Sequence, residues 1–249
     1  MPSKPNAFQP KIRLYIDLPL REGVAVSLTK DQAHYLGTVM RQSVGDHVLL
    51  FNGADGEWAA HLDDLTRKGG TATPIEQTKP QDARPDIWLL FAPIKRARFD
   101  MVVEKATELG VARIAPVLTR YAGHDRVKQA RMHAIAVEAA EQCGGNSLPV
   151  IEEPVKLDAL LASWPQDRPL YFCDERRGAQ PFQMVLSAHK TNKGALLIGP
   201  EGGFSPEEQA MLDDHPTALA VTLGPRILRA ETACLSALTI WQTAHGDWQ

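Results

Sequence analysis

Cysteine is scarce in this chain: Cys143, Cys173 and Cys234 are the only three, they lie far apart, and no CxxC pair exists. That count and spacing fit neither a disulfide framework nor a zinc site. Long apolar runs are also missing, since nothing approaches the roughly 20 residues a membrane span needs. The opening residues, MPSKPNAFQPKIR, have no apolar core and no cleavage-type signal. A reducing cytoplasm, with no membrane partner, is the expectation. The phosphate loop GxxxxGKS or GxxxxGKT is absent, and so is the dinucleotide fingerprint GxGxxG. HExxH and GxSxG are absent too. The eight histidines do not cluster at ligand spacing, so no metal is expected.

What is present describes a folded chain. Of its 249 residues 44% are hydrophobic and 23% charged, enough for one large domain or two small ones. The net charge of −3 hides an uneven distribution. Residues 84–131 carry ten basic and five acidic side chains, whereas 132–249 carry eight and fifteen. Positive charge in mid-chain hints at a polyanionic partner bound by one face. Solvated helix faces are the plainer explanation for charge alone.

Two rhythms follow one another. IRLYIDL, HVLLFNG and EWAAHLDDL read as short strands with Gly-Asp and Asn-Gly at turns. One helix interrupts them, with Thr29 and Gln32 as a capping box and Ala33, Leu36 and Met40 as its buried stripe. Residues 1–75 are expected to form a small β-barrel-like domain. TPIEQTKPQDARPD (73–86) has three prolines and few apolar residues, which sets a linker over 76–86. From 87 to 249 strands alternate with helices: DIWLLFAP, then a helix with Phe99, Val102, Val103, Ala106 and Leu109 on one face and Gly110 as its stop, then VARIAPVL. An Ala-rich helix over 126–143 follows, and the alternation runs on to ETACLSALTIWQTAH. This predicts an α/β layer fold with a mainly parallel sheet.

Two strand ends carry glycine. LLIGPEGGFSPEE (196–208) drops from Ile198 into Gly199-Pro200-Glu201-Gly202-Gly203, and Ser205, Pro206 and Glu208 are spaced to cap the next helix. VTLGPRILRAETA (221–233) has Gly224 at a strand end and a helix starting near Ala230. Ligands of parallel sheets bind beyond the carboxyl ends of strands. Glycine lets the backbone approach a ligand closely. No lysine stands beside GPEGG, which argues against a triphosphate. Exposed amides and carbonyls suit the edge of a purine ring.

Taken together, GPEGG and LGPRILRAETA resemble the signature of RsmE-type ribosomal RNA methyltransferases of the SPOUT superfamily. KRARFDMVVEKATELGVARIAPVLTRY (95–121) and EAAEQCG (138–144) resemble further blocks of that family. HYLGTVMRQSVGD (34–46) and LFNGADGEW (50–58) resemble its N-terminal PUA-like RNA-binding domain. The match is colinear over nearly the whole chain. One departure is that Gly145 stands where the family's EQxxR pattern has arginine. The resemblance implies a C-terminal trefoil knot holding S-adenosylmethionine, a homodimer through the methyltransferase domain, and methylation of N3 of one uridine in 16S rRNA, within the 30S subunit. It maps cofactor binding onto Ile198, Gly199, Pro200, Glu201, Gly202 and Gly203, and onto Leu223, Gly224, Arg226, Ile227, Leu228 and Arg229.

Uracil N3 must lose its proton before it can accept a methyl group. Arg229 is the candidate for stabilising the anion, and Glu231 or Glu201 for taking the proton. An Arg229 ion pair with either carboxylate that only holds the loops is the competing role. Candidate RNA contacts are Arg13, His34 and Arg41 in the first domain and Lys95, Arg96, Arg98 and Arg120 in the second, as phosphate partners. Tyr35, Trp58 and Phe204 are candidate stacking residues, with core packing as the alternative. Three other readings stay open. One is a relative acting on a tRNA base or a ribose 2′-hydroxyl, which Pro200-Glu201 and the 226–232 segment disfavour. Another is a non-catalytic RNA-binding assembly factor. The last is an unrelated nucleotide-binding α/β protein.

Overall fold

The computed structural model describes residues 10–123, 127–174, 176, 178–189 and 191–248. The chain divides into two units, one reaching Ala83 and including Ala140–Ser147, the other Arg84–Ala139 with Leu148–Gln249.

The first unit holds β1 (Arg13–Tyr15), β2 (Val26–Leu28), α1 (Lys30–His34), β3 (His47–Phe51), β4 (Glu57–Thr66) and β5 (Gly69–Lys79). Its sheet runs β1-β3-β4-β5-β2, antiparallel except for β1 against β3. Alternate strand residues, among them Leu14, Val26, Leu28, Val48, Leu50, Leu62 and Ala72, form one core. The Thr29–Gln32 capping box forms as expected. The buried stripe is shorter than expected. Ala33 and Leu36 are inside, but the helix widens into a π-turn over Tyr35–Val39, and Met40 is left 36% exposed. The extra residue in the wide turn carries position 40 off the buried face. Tyr35 and Trp58 pack against the core. The proline-bearing stretch from 73 is strand as far as Lys79. Pro74 is tolerated because it faces a register shift between Ala59 and Ala60. Residues 80–82 are also held, since Asn146 donates to the Pro80 carbonyl at 2.7 Å and accepts from Asp82 N at 2.9 Å.

The second unit contains β6 (Asp86–Phe91), α2 (Arg96–Glu108), β7 (Arg113–Leu118), α3 (Gln129–Cys143, its last turn counted with the first unit), β8 (Val150–Ile151), β9 (Val155–Lys156) and α4 (Leu157–Ala162). After these come β10 (Leu170–Cys173), β11 (Gln180–Pro181), α5 (Phe182–Ala188), β12 (Lys193–Ile198), α6 (Pro206–Asp213), β13 (Ala218–Thr222) and α7 (Ala230–His245). The sheet order is β11-β13-β10-β12-β6-β7-β8, with β9 beside β7, and every pairing is parallel. Phe99, Val102, Val103 and Ala106 of the expected α2 face are buried, Leu109 is the half-buried C-cap residue, and Gly110, at φ +73°, stops the helix. The flanks are covered by two apolar clusters. Gly194 decides how α7 lies, since a Cβ there would come within 2.7 Å of the Trp241 ring. The chain builds β6, β7 and β8 toward one edge and then crosses to the other side of β6. It lays down β10, slips β12 between β10 and β6, and adds β13 outside β10. This is the change of direction at which parallel sheets open a crevice. Among the described residues no helix is long and apolar enough to cross a membrane.

Candidate functional site

The crevice lies at the carboxyl ends of β10, β12 and β13. Phe172 pairs with Leu197, and Cys173 with Val221, so the three strands end level. The turns that leave β12 and β13 line a cleft of about 600 Å³ with the end of β10 between them, within the usual range for a small-molecule site. Gly199, Pro200, Glu201, Gly202 and Gly203 line it from one turn, and Leu223, Gly224, Arg226, Ile227 and Leu228 from the other, with Ile198 beneath. Of the cofactor residues expected from sequence, Arg229 alone is outside this lining. Local chemistry shapes both turns. Gly203 sits at φ +70° and its amide donates to the Pro200 carbonyl at 2.9 Å, while Gly224 sits at φ +126°. Ser205 caps α6 reciprocally with Glu208, and Pro206 takes the first helical position. The Phe204 ring packs over Gly199, where a Cβ would meet it at 3.1 Å, so Phe204 is a packing residue.

Several lining residues carry no sequence signal. Cys173 ends β10 and Asp174 follows it, and Arg176 ties Asp174 to Asp213 of α6 through ion pairs of 2.6 and 2.9 Å. Burial, with Asp174 beside it, pushes the Cys173 thiol up to about 12, so it stays neutral and is no rival nucleophile. The walls combine aliphatic groups, exposed peptide edges, carboxylates and two arginines, Arg226 and Arg176, the second paired with Asp174 and Asp213; among the described residues no lysine lines them. This donor set fits an adenosine moiety joined to a cationic group better than a polyphosphate.

The three candidate catalytic residues separate. Glu231, in the first turn of α7, is buried, and among the described residues its Oε2 has no hydrogen-bond partner. Glu201 is exposed. Arg229 is the exposed N-cap residue of α7, and among the described residues its side chain makes no hydrogen bond or ion pair. The expected competing pair, Arg229 with a carboxylate, does not form. The carboxylates instead meet Arg98 from α2, whose Nε lies 3.3 Å from Glu231 Oε1 and whose Nη1 lies 3.8 Å from Glu201 Oε1.

The remaining RNA candidates divide by exposure. Lys95, Arg96 and Arg120 are exposed around this end of the sheet, and His34 and Arg41 are exposed in the first unit, Arg41 at φ +55°. Arg13 is corrected. Its guanidinium pairs with buried Glu57 at 2.7 Å and donates to the carbonyls of Ala140, Glu141 and Gly145, leaving 11% of the side chain exposed. It fixes the first unit and is not free for phosphate. An aromatic that sequence did not single out stands nearby: Tyr121, 53% exposed, leans on Gly202, where a Cβ would come within 3.3 Å of it. Among the described residues no group of three His, Cys, Asp or Glu could hold a metal ion.

Comparison with known proteins agrees with this geometry. Residues 81–242 match the model of an RNA methyltransferase domain, and 28–75 that of an RNA methyltransferase PUA domain. The chain is 30% identical over 228 residues to the ribosomal RNA small subunit methyltransferase E of Rickettsia conorii, covering 91% of this chain and 93% of that one. It is 32% identical to the Synechocystis protein of the same name, over 86% and 71% of the two chains. The crystal structure of the Neisseria gonorrhoeae ribosomal RNA small subunit methyltransferase E, bound to S-adenosylmethionine, superimposes with a TM-score of 0.84 at 27% identity, covering 96% and 99%. A Legionella pneumophila putative methyltransferase, also with bound S-adenosylmethionine, gives 0.80 at 30% identity, covering 96% and 100%. With a PUA-like domain ahead of a parallel-sheet methyltransferase domain, the chain belongs to the ribosomal RNA small subunit methyltransferase E family.

Proposed function

We propose that this protein transfers a methyl group from S-adenosylmethionine to N3 of one uridine in 16S rRNA of the small ribosomal subunit. Family membership supports an S-adenosylmethionine-dependent rRNA methyltransferase. The observation that carries the finer reading is Glu231: a buried carboxylate with one unpartnered oxygen, in the first turn of the helix that follows the second glycine turn. The uracil imide proton is acidic enough for a carboxylate to accept it, whereas a ribose hydroxyl asks for a stronger base.

When bound, S-adenosylmethionine supplies an electrophilic methyl group on its sulfonium. The two glycine turns would hold the cofactor, and alignment of donor and acceptor would provide much of the rate. Glu231 Oε2 accepts the N3 proton. Arg229, without a partner among the described residues, turns its guanidinium to the charge spread over O2 and O4. Lys95, Arg96 and Arg120 contact phosphates beside the site, with His34 and Arg41 contributing from the PUA-like domain. The target base leaves its stack to reach the site. The same reading includes a cytoplasmic homodimer joined through its methyltransferase domain, a trefoil knot around the cofactor, and an assembled 30S particle as substrate.

The test uses small subunits from cells lacking this protein, labelled S-adenosylmethionine, and identification of the product nucleoside. N3-methyluridine at one position is expected. A 2′-O-methyl nucleoside, or transfer to tRNA in a parallel reaction, overturns the substrate. Equal methylation of protein-free rRNA overturns the 30S requirement, and sedimentation of a monomer at working concentration overturns the dimer.

A further inference from the structure

Three distant segments of the second unit converge on one cation. Arg98 comes from the first turn of α2, Glu201 from the turn after β12, and Glu231 from the start of α7. Nε of Arg98 addresses Glu231 and Nη1 addresses Glu201, each through its Oε1. A guanidinium can face two carboxylates at once because its donors fan out in a rigid plane, whereas an ammonium is a single point of charge. The two partners differ in exposure: the Glu201 side chain is 46% exposed and that of Glu231 11%. The cation that meets the buried Glu231 carboxylate is Arg98.

The arrangement also argues against the role that the sequence suggested for Arg98. One cation between two anions leaves a local excess of negative charge, which repels a phosphate. The positions that remain for phosphate are the neighbouring exposed Lys95 and Arg96. At Glu231, Oε1 faces Arg98 while Oε2 is buried without a hydrogen bond.

We propose that Arg98 is a positioning residue for proton removal. By pairing with Oε1 it orients the Glu231 carboxylate so that Oε2, enclosed and without a partner here, is the oxygen left to meet the N3–H when the acceptor base enters, and its second contact, to Glu201, keeps the guanidinium in that position. The N3–H bond breaks and an O–H bond forms at Oε2. The N3 electron pair takes the methyl group, and the methyl–sulfur bonding pair stays on sulfur. This role rests on the uridine-N3 reading above.

The test compares Arg98→Ala and Arg98→Lys in the full-length protein, at saturating S-adenosylmethionine and small-subunit substrate. Arg98→Ala is expected to lower kcat by about 30-fold or more, a large part of the roughly 100- to 10,000-fold that a general base contributes. Cofactor Kd from calorimetry is expected to move by less than about 5-fold, or 1 kcal/mol. KM for the RNA substrate and its salt dependence are expected to hold. Added guanidinium should restore much of the lost rate in Arg98→Ala but none in the Arg98→Ala, Glu231→Gln double variant. Arg98→Lys, which keeps the charge and meets one carboxylate at a time, should fall in between. It carries the test alone if the alanine variant does not fold, and wild-type kcat in it then overturns the proposal. An unchanged kcat in Arg98→Ala overturns it as well. So does a loss confined to RNA KM with a salt slope reduced by about one, the signature of a phosphate contact. Wild-type protein that yields no N3-methyluridine overturns the underlying reading instead, whatever the variants do.

Discussion

The turn after β12 is gripped by polar contacts from several sides, while the turn after β13 is held by one threonine and by Leu223 and Leu228 packing on the core. In the first, Gly203 bonds back to Pro200, Tyr121 presses on Gly202, and Glu201 reaches Arg98. Just beyond it, buried Glu208 accepts from Ser205 N at 2.8 Å and from Arg120 N at 2.7 Å, so one carboxylate caps α6 and also fastens the loop that follows β7. In the second, the Thr222 hydroxyl donates to the Gly224 carbonyl and accepts from its amide, Gly224 through Ile227 are exposed, and α7 begins with no side-chain cap. The two walls of one cleft therefore differ in stiffness. Few internal contacts mean a low cost of local opening. The expected outcome is that the β12 wall acts as a preformed template and that the β13 wall is the one ordered on ligand binding.

The largest effect expected from breaking this arrangement is chemical. Arg229 ends the loose wall with its side chain uncommitted. Arg229→Ala should leave the thermal midpoint and S-adenosylmethionine Kd unchanged, and lower kcat by about 100-fold, the usual loss when a preorganised donor to a developing anion is removed. Single-turnover methyl transfer beside calorimetry checks this, and unchanged turnover would remove Arg229 from the chemistry.

The next effect breaks the stiff wall. Glu208→Ala removes a cap and strands the Arg120 amide, a combined loss of about 2–3 kcal/mol. For a unit of this size that lowers the unfolding midpoint by roughly 5–10 °C. Glu208→Gln keeps an acceptor oxygen and should lose about half as much. Equal midpoints for both variants and wild type would mean that the two walls do not differ in the way described.

Gly224→Ala tests the loose wall by stiffening it wrongly. At φ +126° an alanine is strained, but nothing lies within 4 Å of its added Cβ. The loop can relax, so the loss of stability should stay near 1 kcal/mol. Cofactor affinity should fall about 10-fold, because the relaxed loop no longer matches the ligand. A midpoint drop as large as that of Glu208→Ala would show that the second turn is as rigid as the first.

Much of this fold was legible because its signals are local. Ser205 and Glu208, or Thr29 and Gln32, announce helix starts within four residues, and the period of Phe99, Val102, Val103 and Ala106 shows which face of α2 is buried. Both glycine turns were visible for the same reason. The strand carrying Pro74 was not, since its proline is excused by an irregularity in a partner strand that the local sequence does not reveal. Arg13 and Arg98 were read as surface cations because a sequence shows charge but not what meets it. Their carboxylates stand 44 residues away in one case, and over 100 and over 130 in the other. Tyr121 was missed for the same cause: only the parallel pairing of the sheet brings the end of β7 beside the turn after β12.

The smallest expected effect is the sharpest probe of the comparison. Ile227 is 81% exposed, the most open large apolar side chain of the described residues, yet it lines the cleft. An aliphatic group in water at the edge of a ligand site has nothing to contribute to folding, so Ile227→Ser should shift stability by less than about 0.5 kcal/mol. If ligand binding draws the second turn inward, the same side chain becomes buried against the cofactor, and a partial burial worth about 1 kcal/mol corresponds to a roughly 5-fold weaker Kd. Hydrogen exchange gives the matching kinetic picture. Amides of 223–229 should exchange faster than those of 199–205 without ligand, and S-adenosylmethionine should slow the former far more than the latter. A serine variant that binds as tightly as wild type, with equal protection of both turns before ligand is added, would mean that the second wall is already in its bound form. The difference in its contacts would then carry no consequence for binding.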